Sequence, residues 1–237
     1  MLRFLPIPEK IVVLTESPPT LHPSLENEVE AVWQVERDRC GSNLFDGPLF
    51  SLEQISPHAI SGRYVGYRLF LAQERQPELF FKLRVQPLAV TGVLQNPHGL
   101  FFGYRDSALA VQPDCWELIP SGGVDRSTLT QDGQLCLAKQ VLTELREEVG
   151  IAGAAVTPPK LLCFTEDPLR HIFELIWELK TPLDPDAVQR AHSALLHPEH
   201  SKIRFVRWAD LKGFLGHAGD GVLPASRDLL EHLLENR

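Results

Sequence analysis

The segment LTELREEVGI, residues 142–151, places three glutamates at the end of an amphipathic helix. At about 100° per residue, Glu144, Glu147 and Glu148 fall on one arc of that helix. Gly150 then supplies a typical helix end. The apolar side chains fall on a separate stripe, which we expect to be buried: Ala138, Val141, Leu142, Leu145 and Val149.

The three glutamates work against the stability of this helix. Glu144 and Glu148 are like charges four residues apart, which costs about 0.2–0.5 kcal/mol. Anions in the last turn also oppose the helix dipole, by about 0.3–1 kcal/mol each. A divalent cation would reverse these terms, and carboxylate oxygens are the hard ligands that Mg²⁺ and Mn²⁺ prefer. The glutamates alone leave two interpretations open, a metal site or a solvated acidic face.

The composition argues against several classes of protein. The chain has 237 residues, of which 43% are hydrophobic and 23% charged, as in an ordinary globular protein. Its net charge of −8 argues against nucleic acid or an anionic membrane as a partner. No apolar run reaches transmembrane length and no signal peptide is evident, so we expect a cytoplasmic protein. Four widely spread cysteines without a C-x-x-C pair indicate reduced thiols.

Hydrophobic periodicity divides the chain near residue 87. Before it, the pattern predicts a smaller, mostly-β N-terminal domain over 1–86, with strands at 11–16, 63–72 and 78–85 and a helix at 25–38. After it, strands and helices alternate and include an antiparallel hairpin, which predicts an α/β sandwich over 87–237. Its predicted strands are 88–105 (the hairpin), 115–120, 160–167, 171–180 and 203–211, and its predicted helices are 135–149, 184–195 and 224–236.

The segment WELIPSGGVD, residues 116–125, leads toward the glutamate helix. It predicts a strand that delivers the chain to a Gly122-Gly123 turn, where backbone N–H groups can approach a ligand. A Gly-Gly turn is a weak signal alone. Followed by a loop and a helix ending in Glu-x-x-Glu-Glu-x-Gly-Ile, it is far more specific.

This combination resembles the Nudix hydrolase box, G-x5-E-x7-R-E-U-x-E-E-x-G-U, in which U is a bulky aliphatic residue. The similarity extends over roughly 87–237, because the hairpin at 88–105 and IRFVRWADLKGFL at 203–215 also resemble family segments. The resemblance implies an α/β/α sandwich with a mixed sheet. The second half of the box is matched by Glu144, Leu145, Glu147, Glu148, Gly150 and Ile151.

The chain departs from the box at two points. Thr143 stands where the family has an arginine that helps to orient the carboxylates, and the loop after Gly123 is too long to place the early glutamate, with Gln134 or Leu135 near its position. A Nudix branch that hydrolyses UDP-glucose and UDP-galactose also has an irregular box without this arginine. NLFDGPLF (43–50) and GYRLFLA (66–72) are similar to the N-terminal part of that branch.

The resemblance implies a metal-dependent pyrophosphohydrolase that cleaves a nucleoside diphosphate linked to another group, with a UDP-sugar as the favoured substrate. ADP-ribose or another nucleotide sugar is the alternative, and a non-catalytic nucleotide-binding module is the competing hypothesis. Glu144, Glu147 and Glu148 would bind Mg²⁺ or Mn²⁺. The general base would be Glu147 or Glu174, and Glu166 and Asp167 are weaker candidates.

Substrate contacts are expected from Gly122, Gly123 and Arg105, the last through a phosphate. The N-terminal region would serve the substrate pocket or the contact of a homodimer. Asp46 and Arg68 would shape that pocket or, more simply, join the two domains. Phe45, Tyr67 and Trp116 would stack on a base or lie in the core, and no role is predicted for His171, His192, His197 or His200.

Overall fold

A computed structural model describes residues 1–14, 20–41, 44–56, 58–130, 134–217 and 221–235. Its strands are β1 (Arg3–Leu5), β2 (Lys10–Val13), β3 (Pro48–Ile55), β4 (Ala59–Gly66), β5 (Leu88–Asn96), β6 (Gly99–Arg105), β7 (Trp116–Leu118), β8 (Ser121–Gly123), β9 (Lys160–Asp167), β10 (Ile172–Lys180) and β11 (His200–Arg207). Its helices are α1 (Pro23–Cys40), α2 (Tyr67–Arg75), α3 (Phe80–Leu83), α4 (Leu137–Val149), α5 (Pro185–Ser193), α6 (Leu211–His217) and α7 (Pro224–Glu235).

The larger sheet has eight strands in the order β1-β9-β10-β5-β6-β11, with β8 paired to β5 and β7 paired to β6. The β5–β10 pair is parallel and its neighbours are antiparallel, so the sheet is mixed. Apolar residues of α4 and α5 pack on one face, and those of α6 and α7 pack on the other. The predicted α/β/α sandwich is therefore confirmed.

The smaller sheet has the order β2-β4-β3 and packs beside α4. Phe50, Leu52 and Ile60 of this sheet lie in the same buried cluster as Val141 and Leu145 of α4. In addition, β1 pairs with β9 at the edge of the larger sheet. Contacts thus cross residue 86, and the predicted boundary between 1–86 and 87–237 stays a prediction.

The strand predicted over 63–72 is wrong in its second half, because β4 ends at Gly66 and α2 begins at Tyr67. The reason is a cap supplied from outside the segment. Asp46 Oδ1 accepts the Arg68 backbone N–H at 2.9 Å, which satisfies a donor in the first turn of α2. A carboxylate more than twenty residues upstream leaves no trace in the local periodicity.

The strand predicted over 78–85 is also wrong. Residues 77–79 form a 3-10 turn and Phe80–Leu83 form α3. Leu79 and Leu83, four residues apart, share a cluster with α1 and α2, whereas Phe81 points to solvent. The helical spacing of the two leucines therefore decides the structure over the local β propensity.

Parts of three predictions lie outside the described residues, namely 15–16 of the strand predicted at 11–16, residue 43 of NLFDGPLF and the last residue of the helix at 224–236. Among the described helices, none combines the length and apolar character that a membrane span requires.

Candidate functional site

The packing of α4 sets the direction of its glutamates. Of the predicted stripe, Val141, Leu145 and Val149 are fully buried in the cluster below the sheet, whereas Ala138 and Leu142 are half-buried. The predicted acidic arc is then divided between two environments. Glu148 is only 3% exposed and Glu144 is half-buried, whereas Glu147 faces solvent.

Glu144 lies against the backbone of a glycine. The expected Gly122-Gly123 turn is wrong, because Ser121–Gly123 form β8 and pair with β5. A Cβ atom at Gly122 would lie 2.3 Å from Glu144 Cδ, so only glycine leaves room for this carboxyl group. Gln140 Nε2 donates to Glu144 Oε1 at 2.6 Å, and Thr128 donates to Gln140 Oε1 at 2.9 Å. The carboxyl group is therefore confined by Gly122 on one side and by Gln140 on the other, and Thr128 fixes Gln140.

Negative charge is unfavourable on both Glu144 and Glu148, the two inner glutamates of α4. Burial, together with Glu199 and Glu147, raises the pKa of Glu144 to about 7. Burial also raises the pKa of Glu148 well above its usual value, and nearby Glu199, Glu144 and Glu117 add to that effect. The Ser121 N–H donates to Glu148 Oε2 at 2.9 Å and opposes the shift only in part.

A buried chain of side chains approaches Glu148 from the sheet. Glu117, on β7 and 2% exposed, accepts hydrogen bonds from Arg105 Nη1 at 2.6 Å and His200 Nε2 at 2.8 Å. Burial alone would raise the pKa of Glu117, but the bonds from His200 and Arg105 hold it below its usual value. Glu117 is therefore the ionised centre of this chain.

His200 completes the chain. Its ring is fully buried, and its Nδ1 atom has no hydrogen-bond partner within the described ranges. Glu148 Oε2 lies 3.9 Å from that nitrogen. The chain Arg105–Glu117–His200–Glu148 thus connects β6, β7 and β11 to the end of α4.

Arg105, from which a phosphate contact is expected, is held inside the protein by other partners. Its guanidinium group donates to Glu117 and, at 2.8 Å each, to the carbonyl oxygens of Gln112 and Val111. Its side chain is largely buried. In this arrangement Arg105 holds Glu117, and its contact with a phosphate stays a prediction.

Glu174, on β10, lies near Glu117. The two carboxyl groups line one small cavity together with Thr91 and Ser121. Burial and the nearby Glu117 raise the pKa of Glu174 to about 7, against a hydrogen bond from Thr91. The weaker base candidates have other contacts: Asp167 accepts the backbone N–H groups of Leu169 and Arg170, and Glu166 pairs with Arg3 at 3.4 Å.

The donor chemistry at the end of α4 fits a hard divalent cation. Glu144 and Glu148 present carboxyl groups with which no lysine or arginine of the described chain forms an ion pair. A cation would stabilise the negative charge that burial, and then the neighbouring carboxylates, disfavour by raising their pKa. Glu147 instead pairs with Arg146 at 3.2 Å. No three His, Cys, Asp or Glu side chains in the described segments converge as a metal-ligand set. A three-carboxylate site would therefore require Glu147 to turn inward.

The N-terminal candidates have mainly structural contacts. Arg68 pairs with Glu26 at 2.6 Å and with Asp46 at 3.3 Å, which ties α2 to α1 and to the segment before β3. Tyr67 is half-buried against Phe70, and Phe45 is exposed. Trp116 lies on the sheet face opposite Glu117.

The sequence analysis missed Glu117 and His200, Gln140, whose amide donates to Glu144, and Glu199, whose charge contributes to the raised pKa of Glu144 and Glu148. Side chains alternate along β7, so Glu117 projects from the sheet face opposite to that of Trp116. The sequence shows this alternation, and it could have indicated Glu117. His200 is 83 residues from Glu117, and no local spacing connects the two.

No protein-family model matches the chain, and no curated protein matches it. Among solved structures, a bifunctional NMN adenylyltransferase/ADP-ribose pyrophosphatase from Francisella tularensis, in complex with AMP and a Mn ion, is similar with a TM-score of 0.46 and 16% identity, over 69% of this chain and 46% of that one.

Two further solved structures show the same kind of similarity. For a MutT Nudix hydrolase from Burkholderia pseudomallei the TM-score is 0.40 and the identity 18%, over 61% of this chain and 95% of that one. For a Nudix hydrolase from Nitrosomonas europaea the TM-score is 0.41 and the identity 10%, over 63% of this chain and 89% of that one. At these TM-scores and identities the similarity establishes no function for this chain.

Proposed function

We propose that this protein is a divalent-cation-dependent hydrolase that cleaves the diphosphate of a nucleoside diphosphate linked to another group. The observation that carries the proposal is the pair of carboxyl groups, Glu144 and Glu148, held at the end of α4 against β8 without an arginine or lysine partner in the described chain. The resemblance of this helix to the Nudix box adds the reaction class.

Glu144 and Glu148 would hold Mg²⁺ or Mn²⁺, with Glu147 as a third ligand once it turns away from Arg146. When bound, the ion would neutralise charge on the diphosphate oxygens and lower the pKa of a water molecule. The protein would fix the two inner carboxyl groups before substrate arrives, through Gln140 on Glu144 and the Ser121 N–H on Glu148. Such preorganisation lowers the cost of reaching the reactive geometry.

His200 is a positioning residue in this proposal. Its ring sits between Glu117 and Glu148, and Arg105 keeps Glu117 ionised from the other side. The chain would therefore hold Glu148 in one orientation from the sheet side. This support is distinct from the box arginine, whose place Thr143 occupies.

Glu174 is the favoured general base, and Glu147 is the second candidate. A base works best when its pKa lies near the operating pH, and the pKa of Glu174 is raised to about 7. Its hydrogen bond from Thr91 and its place beside Glu117 would hold the carboxyl group still. It would take a proton from the attacking water molecule.

A UDP-sugar is the proposed substrate, on the basis of the segments at 43–50 and 66–72, and ADP-ribose is the alternative. The test is to incubate the full chain with Mg²⁺ or Mn²⁺ and UDP-glucose, UDP-galactose, ADP-ribose and a dinucleoside polyphosphate, and to measure released nucleoside monophosphate. Glu148→Gln should abolish release, whereas Glu231→Gln, an exposed glutamate on α7, should not. Tight nucleotide binding without any product would favour the non-catalytic module instead.

A further inference from the structure

A cleft of about 700 Å³ opens on the face of the larger sheet that α6 covers. Tyr104 of β6, Trp116 of β7 and Phe214 of α6 supply aromatic rings to it. Tyr104 and Trp116 are cross-strand partners whose ring centroids lie 5.0 Å apart, and Trp116 and Phe214 lie 6.2 Å apart. The volume is that of a typical small-molecule pocket, about 300–1,000 Å³.

This cleft is separate from the glutamate site. Trp116 and Glu117 are consecutive residues of β7, so their side chains project to opposite faces of the sheet. Glu117 faces Arg105 and His200, whereas Trp116 packs with the cluster that contains α6 and α7. A ligand in the cleft would therefore contact none of the proposed metal ligands.

Two cations lie over the aromatic rings. Lys202 Nζ is 4.3 Å from the ring centre of Tyr104, and Arg204 Cζ is 5.1 Å from that of Phe214. Both cations also lie over Trp116, at 5.4 Å and 6.0 Å from its ring centre. Both residues are exposed and alternate on β11, so they share one face.

The cations at the cleft differ in whether they have an acidic partner. Arg207, at the rim, is paired with Asp210 at 2.6 Å. Neither Lys202 nor Arg204 forms an ion pair with a carboxylate in the described part of the chain, and Asp114 is the remaining acidic residue of the lining. Positive charge is therefore available beside the aromatic surface of Trp116.

We propose that this cleft is a second binding site, specific for a nucleoside monophosphate. The base would take the place of Lys202 and Arg204 over the rings of Trp116 and Tyr104, because a planar aromatic ring gains from such a surface, and the two displaced cations would bind the phosphate. Both features are required together, which distinguishes this ligand class from a simple anion. The net charge of −8 disfavours a longer nucleic acid, whose many phosphates the whole surface would repel.

The test is calorimetric titration of the full chain with UMP and with AMP in the presence of a chelator. The chelator removes the divalent cation through which the Glu144 and Glu148 site would bind a nucleotide, so the binding that remains can be assigned to the cleft. At least one nucleotide should bind, and uridine, adenosine and inorganic phosphate should each bind at least about tenfold more weakly than that nucleotide, since each lacks one of the two contacts.

Arg204→Gln and Lys202→Gln should each weaken nucleotide binding about tenfold or more, whereas Arg190→Gln, an exposed arginine on α5, should leave it unchanged. Glu148→Gln should also leave it unchanged, so the result is independent of the proposed hydrolase activity. The inference is overturned if neither nucleotide binds, if inorganic phosphate binds as tightly as the nucleotide, or if binding is lost in Glu148→Gln but retained in Arg204→Gln.

Discussion

Replacing Gly122 by alanine should separate the activity of this protein from its stability. The new Cβ atom would lie 2.3 Å from Glu144 Cδ and 2.5 Å from both carboxyl oxygens. Since ordinary contact begins at 3.4 Å, the carboxyl group must move by about 1.1 Å or more. Displacements of about 1 Å in a catalytic site reduce rates by about 10²-fold, and we expect at least that loss of turnover.

The stability of Gly122→Ala should change little. Moving Glu144 breaks its hydrogen bond from Gln140, which costs about 0.5–1.5 kcal/mol. Gly122 lies outside the left-handed backbone region, so alanine restricts the unfolded chain and returns about 0.4–1 kcal/mol. The melting temperature should therefore stay within about 4 °C of the parent.

Gly123→Ala is the matched control. It adds the same atom to the next residue of β8, where Cβ would lie 3.0 Å from the tip of Leu49 and away from Glu144. Turnover should be assayed as released nucleoside monophosphate, and melting followed by circular dichroism. If folded Gly122→Ala keeps parental turnover, or if Gly123→Ala loses as much, the assignment of Glu144 to the site is wrong.

Three further predictions concern the buried side chains on the sheet side of the site, namely Glu174, Arg105 and His200. Glu174 has its pKa raised from 4.5 to about 7, so its stabilisation of the folded state is lost as pH rises through that window, and Glu174→Gln should gain stability relative to the parent between pH 4.5 and 7.5 in urea titrations. Arg105→Met removes the guanidinium partner of buried Glu117 and leaves it only the hydrogen bond from His200, so it should destabilise the fold by up to about 3–5 kcal/mol, and adding Glu117→Gln should recover a large part of this in the same titrations. His200→Gln should stay folded but lose about 10–100-fold in both kcat and Mn²⁺ affinity, and an effect on KM for nucleotide alone would contradict its positioning role.

The sequence correctly predicted the helices and strands that are specified by the hydrophobic periodicity of their own segments. The stripe of Val141, Leu145 and Val149 specifies α4, because a buried face repeats every three or four residues. The hairpin, strands β9 and β10 and helices α5 and α7 follow from similarly strong periods. These elements account for the three layers of the sandwich.

Contacts between distant segments could not be predicted in this way. The start of α2 depends on the Asp46 carboxylate, and α3 depends on two leucines that face α1. The link from Glu117 to His200 joins β7 to β11 across 83 residues. Glu148 is buried, Glu144 half-buried and Glu147 exposed because β8 approaches α4 closely. The glycines permit this approach, but their presence in the sequence does not predict it.

The central claim is that Glu144 and Glu148 form a divalent-cation site that acts on a nucleoside diphosphate. Its most direct test is Mn²⁺ binding, measured by electron paramagnetic resonance with a non-hydrolysable UDP-sugar analogue present and absent. The wild-type chain should bind Mn²⁺, the analogue should tighten that binding, and Glu144→Gln and Glu148→Gln should each weaken it about tenfold or more. Equal Mn²⁺ binding by the wild type and both variants would contradict the claim.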